Sequence, residues 1–109
     1  MWHKQINASI SVCDKNGVIL ELNDKAIEMF KKYGGADLIG KNLIDCHPEP
    51  SKTKVKSMLL EQTENCYTTE KNGIKKMVVQ KPFYQNGEYA GFVEMVFEIP
   101  FDMPHFVRK

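Results

Sequence analysis

Polar and apolar residues alternate at the two ends of this chain and recur at helical spacing in its middle. From Ser9 to Asp14, Ile10 and Val12 alternate with Ser9, Ser11 and Cys13, the period of a half-buried strand. Val18 to Leu22 is a second predicted strand, with Val18, Leu20 and Leu22 on one face. Asn23 or Asp24 then offers a side-chain oxygen to cap a helix. Ala26, Ile27, Phe30 and Tyr33 follow at helical spacing, and Gly34-Gly35 ends the run. Asp37 to His47 reads as a short irregular helix broken at Gly40. Beyond Pro48 and Pro50, Ser51 is the expected cap of a longer helix, with Val55, Met58, Leu59 and Gln62 inward and Lys52, Lys54 and Lys56 outward. Three strands are predicted after Asn65: Cys66 to Lys71, Ile74 to Tyr84 and Tyr89 to Ile99. Pro82 has no N–H to donate, so it marks a bulge or a fraying end.

Asn-Gly occurs at Asn16-Gly17, Asn72-Gly73 and Asn86-Gly87, each time between predicted strands. A type I′ turn needs φ > 0 at both central residues, which Asn and Gly adopt at low cost, so each pair predicts a hairpin. Two strands, a helical middle and three strands make an α+β chain, a small antiparallel sheet cupped over helices with room for a cavity between them. Residues 9–99 form the predicted domain, 1–8 an N-terminal flank and 100–109 a C-terminal extension.

The last strand is apolar on both faces, Val93, Met95, Phe97 and Ile99 on one and Phe92 and Val96 on the other. Glu94 and Glu98 share the second face, which is therefore expected to point outward. Phe92 and Val96 would then need a cover, in part from Trp2 and Ile6 and for the rest from a second copy, so a homodimer is expected. The cavity would be walled by Ile27, Phe30, Leu43, Met58, Leu59, Met77, Val79 and Met95, with Asn42, Cys46 and His47 as polar contacts. Methionine can fill a cavity or yield to a ligand. An apolar wall with few polar groups suits a small apolar ligand, although residues of these types more often build a filled core.

With 109 residues the chain is one domain. A net charge of +1 gives no strong attraction to nucleic acid or anionic membrane. No apolar run approaches the roughly 20 residues of a membrane span, and the N-terminus lacks the apolar core of a signal peptide. A cytoplasmic location is expected. Cys13, Cys46 and Cys66 are an odd count without C-x-x-C spacing, which suits reduced thiols and not a structural zinc site. Cys46 and His47 are adjacent in sequence and so point apart, and no third group completes a thiol nucleophile. Asp45, Glu49 and Glu61 read as surface acids. No enzymatic activity is expected.

One ordered set of residues carries a family resemblance. Asn23, Ala26 and Phe30 precede Asp37-Leu38-Ile39-Gly40-Lys41-Asn42-Leu43 and then His47-Pro48, and the chain closes with Asn86-Gly87-Glu88-Tyr89-Ala90-Gly91-Phe92-Val93. In this order they resemble PAS domains over about Ser9 to Ile99. The resemblance implies the PAS fold, a five-stranded antiparallel sheet with helices packed on one face, and a sensory module that dimerises and passes a signal to an effector domain or protein. It implies a small molecule or cofactor between sheet and helices; the alternatives are a ligand-free interaction domain and a haem-binding gas or redox sensor. Flavin-adduct members carry G-x-N-C; here Gly40 and Asn42 match but Leu43 replaces the cysteine, so no covalent adduct is expected. Haem-binding members suggest a ligand further along the helix, where this chain has Lys54, Val55 and Lys56, which leaves His47 as the candidate and haem unfavoured.

Overall fold

Both C-terminal Asn-Gly pairs adopt the conformation this dipeptide favours. Asn72 and Gly73 have φ of 53° and 77°, and Asn86 and Gly87 have 53° and 80°. In the computed structural model, which describes residues 1–109, they join three antiparallel strands: β3 (Asn65–Lys71), β4 (Ile74–Gln85) and β5 (Glu88–Ile99). Pro82 lies beside a register shift between Phe83 and Tyr84, the bulge its missing N–H predicts.

The N-terminal hairpin closes differently. It joins β1 (Ser9–Asp14) to β2 (Ile19–Leu22), and only Gly17, with φ of 92°, has a positive φ. The Asp14 carboxylate accepts from the Asn16 and Val18 amides, both at 2.9 Å, and the Gly17 amide donates to the Asp14 carbonyl. An aspartate-centred turn thus replaces the I′ geometry. A register shift at Val12/Cys13 also changes the facing of β2. Ile19 and Leu22 turn inward, while Leu20 is 45% exposed, so Val18, Leu20 and Leu22 do not share a face.

The five strands run in the order β2-β1-β5-β4-β3. Gly91 sits opposite Asp14, where β1 passes so close that a Cβ would fall on the Cys13 carbonyl oxygen and the Asp14 backbone. Only glycine fits there.

Register assigns the faces. Cys13, Ser11 and Ser9 of β1 stand opposite Phe92, Glu94 and Val96 of β5, and Pro82, Gln80 and Val78 of β4 stand opposite the same three. This is the side on which the helices pack: Phe92 is 3% exposed and joins Cys13 and Leu59 in one core cluster, and Val96 is 9% exposed. The expected facing of β5 is therefore reversed. Phe92 and Val96 are covered by their own chain and need no second copy. Glu94 points inward with them. Val93, Met95 and Phe97, with Val79 and Met77 across from the last two, form the outer face. Trp2 is 72% and Ile6 43% exposed, and neither packs in the core cluster that holds Phe92.

Helix α1 (Trp2–Gln5) is a single turn, α2 covers Asp24–Met29 and α3 covers Ser51–Glu61, with 3-10 turns at Lys31–Tyr33 and Gly35–Leu38. Asn23 caps α2 by accepting from the Ala26 amide at 3.0 Å. The same oxygen accepts from the Ile10 amide, and the Asn23 amide group donates to the His3 and Ala8 carbonyls. One buried side chain thus ties helix, first strand and N-terminal flank together. The expected Ser51 cap of α3 is absent. Glu49 takes that role, accepting from the Thr53 amide at 2.9 Å, because its longer side chain reaches back over the first turn. Gln62, in the left-handed conformation with φ of 57°, ends α3.

Candidate cavity between sheet and helices

A cavity of about 460 Å³ opens between the inner sheet face and the helical segment. Its floor is a row of side chains on three adjacent strands: Ser11 of β1, Glu94 of β5 and Gln80 of β4, directly opposite one another in register. Leu22, Phe30, Tyr33 and Leu38 form one wall. Leu43, Cys46, His47, Val55 and Met58 form the other.

The wall is apolar and the floor is not. The Gln80 amide group donates to one Glu94 oxygen, Oε2, at 2.7 Å, and the Gln80 oxygen accepts from the Asn65 amide group at 3.0 Å. A chain of hydrogen bonds therefore crosses from β3 to β5 and fixes the carboxylate. Glu94 forms no ion pair; the chain has one, Lys81 with Glu64, both more than half exposed. His47 Nδ1 donates to the Leu43 carbonyl at 2.6 Å, which leaves Nε2 as the free ring nitrogen.

Of the expected pocket residues, Phe30, Leu43, Cys46, His47 and Met58 line this cavity. The others do not. Met77, Val79 and Met95 lie on the outer sheet face because the strand parity is opposite to the expected one. Leu59 is used in the Cys13–Phe92 core cluster, and Ile27 packs against Leu22, Ala26 and Leu38. Asn42 is spent on the loop: its amide group donates to the Asn16 carbonyl and its oxygen accepts from the Ile44 amide. Ser11, Gln80 and Glu94 were not expected at the cavity. Their signal in the sequence is polar residues within apolar strands, which by alternation alone reads as a solvent face.

Burial raises the Cys13 thiol above its ordinary value of 9.0, against a backbone hydrogen bond that lowers it. Burial also raises Tyr67, helped by the Glu94 charge, and Tyr89, whose hydroxyl donates to the Leu59 carbonyl at 2.9 Å. Cys13, Cys46 and Cys66 are free thiols, and Cys13 alone is buried. No three His, Cys, Asp or Glu side chains converge as a metal ligand set. No helix is long and apolar enough to cross a membrane.

The family model of the PAS fold matches residues 4–93, most of the chain. The chain belongs to the PAS family. Its fold recurs in solved PAS domains of low sequence identity. A structure of the Aer2 receptor from Vibrio cholerae, described as a dual PAS-heme oxygen sensor, is 18% identical with a TM-score of 0.66, covering 85% of this chain and 95% of that one. The PAS domain of BvgS from Bordetella pertussis is 17% identical with a TM-score of 0.67, covering 89% and 80%. The PAS domain of an HTR-like protein from Haloarcula marismortui is 16% identical with a TM-score of 0.63, covering 90% and 91%. No curated protein sequence matches the chain. In this PAS domain the motif residues have structural tasks: Asn23 caps and ties, Asn42 holds a loop, and Gly91 admits β1.

Proposed function

We propose that this PAS domain is a sensory module that takes a small, mainly apolar molecule into the cavity and answers by shifting its N-terminal flank and its assembly as a homodimer. The observation that carries this reading is the cavity, about 460 Å³ with an apolar wall and a short polar floor. Small-molecule sites typically measure roughly 300–1,000 Å³ and have this lining.

A route to the flank supports the signalling half. Leu22 and Phe30, at the two ends of α2, line the cavity. Asn23 between them holds the His3 and Ala8 carbonyls of the flank. A ligand that favours one placement of α2 biases the flank through the same side chain, to the extent that it binds the two placements differently. The dimer surface in this proposal is the outer sheet face around Val93, Met95 and Phe97. An effector domain or protein would read the change.

The test is thermal unfolding of purified protein against a panel of small molecules, with Met58→Trp as a cavity-filled control. A true ligand at a hundredfold excess over its Kd stabilises by roughly 2.7 kcal/mol, an upshift on the order of 10 °C. Met58→Trp should abolish it. If no compound shifts the melting temperature and native mass spectrometry of cell-purified protein shows no bound mass, the domain is ligand-free and acts by protein interaction.

A further inference from the structure

We infer that the cavity selects an amine: a small apolar molecule with one cationic or N–H donor head seated on Glu94. This rests on the reading of the cavity as a ligand site and specifies its chemistry. Three observations carry it. First, Glu94 is the only carboxylate lining the cavity, with no Lys or Arg on its wall or floor and His47 the one basic side chain there. An organic anion would meet a carboxylate and no Lys or Arg, whereas an ammonium would supply the ion-pair partner Glu94 lacks.

Second, the carboxylate is held in place as an acceptor. Asn65 donates to the Gln80 oxygen, so Gln80 must turn its NH₂ toward Glu94, where it occupies Oε2. The other oxygen, Oε1, has no donor from the protein. A site whose ligand-binding atom is fixed by a second hydrogen bond behind it loses little freedom when the ligand arrives. Third, Ser11 stands directly opposite Glu94 on the neighbouring strand, and its hydroxyl has no protein partner. Glu94 and Ser11 thus offer two acceptors side by side on the floor. Above them the wall is apolar, with Phe30, Leu38 and Met58 contributing. That combination suits an alkyl or aryl amine, with the head down and the hydrocarbon against the wall.

The experiment compares three probes of one shape, hexylamine, hexanol and hexanoate, by isothermal titration calorimetry on the full chain, its Glu94→Gln variant and Met58→Trp. Glu94→Gln keeps the size and the hydrogen bond to Gln80 while removing the charge. Hexylamine should bind the unaltered protein about tenfold or more tightly than hexanol, the range of a hydrogen bond to a charged group, and hexanoate should bind weakest. Glu94→Gln should bring amine and alcohol to within about twofold. Met58→Trp should remove binding of both. Hexanol binding as tightly as hexylamine, or an amine preference that survives Glu94→Gln, overturns the amine inference while leaving the cavity a ligand site. Phenethylamine against 2-phenylethanol repeats the comparison with an aryl body. If all five probes, charged or neutral, fail to bind, the cavity reading fails with it.

Discussion

Phe92→Ala decides which face of β5 is the core face. Phe92 is 3% exposed and packs with Cys13 and Leu59, with Leu43, Val55 and Met58 alongside. Truncating a buried aromatic ring to alanine costs about 3–5 kcal/mol, because the lost burial and the cavity left behind add. A domain of this length has a total stability of roughly 5–16 kcal/mol, so the variant should lose about a fifth of it or more. Met95 lies on the outer face opposite Ile10 and Val79, half-buried by its sheet neighbours. Met95→Ala should cost about 1 kcal/mol, the centre of the range for single substitutions. Urea unfolding followed by circular dichroism at low micromolar protein measures both, with a common slope showing that the same surface is exposed. The face assignment is refuted if Phe92→Ala costs less than Met95→Ala, or if it changes only the association state.

Further variants and one titration test other links. Asn23→Ala should cost at least about 2 kcal/mol in urea, since a cap and the partners of Ile10, His3 and Ala8 go at once; the fraction of the flank open to proteolysis should rise with it. Gly91→Ala should yield protein that folds poorly or loses the β1–β5 pairing, seen as lost amide protection in β1 by hydrogen exchange. Met95→Lys with Phe97→Lys should give a folded monomer by sedimentation; an unaltered protein that is already monomeric at tens of micromolar, the order of a weak contact, removes the proposed dimer. Alkaline pH should destabilise the fold. Cys13 is raised in the folded state, so its unfolded form loses the proton first, and stability present below about pH 9 falls as pH rises, by up to about 1.4 kcal/mol per unit. Cys13→Ala should flatten that fall in urea melts measured from pH 8 to 10, and the native thiol should resist alkylation while Cys46 and Cys66 react.

Strand and helix order was legible because the punctuation is local. Asn72-Gly73 and Asn86-Gly87 carry their own φ preference, and Asn23 and Gly34 mark helix ends without help from the rest of the chain. The Asn16-Gly17 turn was legible as a turn but not in type, because Asp14 two residues earlier competes for the same amides. α3 shows the same limit: Ser51 has the cap's chemistry, but Glu49 has the reach.

The face of β5 was a different problem, and the cavity depends on it. Alternation gives a strand two faces and no sign, and on this strand both are apolar. Charge was the only tie-breaker, and it pointed the wrong way because Glu94 is inside. Assigning the wrong parity moved Met77, Val79 and Met95 into the expected pocket and left Ser11, Gln80 and Glu94 out of it. A carboxylate on the inner face of a sheet costs free energy unless something accepts its charge or its hydrogen bonds. Gln80, backed by Asn65, satisfies one oxygen. The other has no protein donor, and Glu94 lines the cavity. Glu94, the residue that makes this face look solvent-exposed in the sequence, is therefore also the one on which the proposed preference of the cavity rests: a polar group kept on the core side of the sheet.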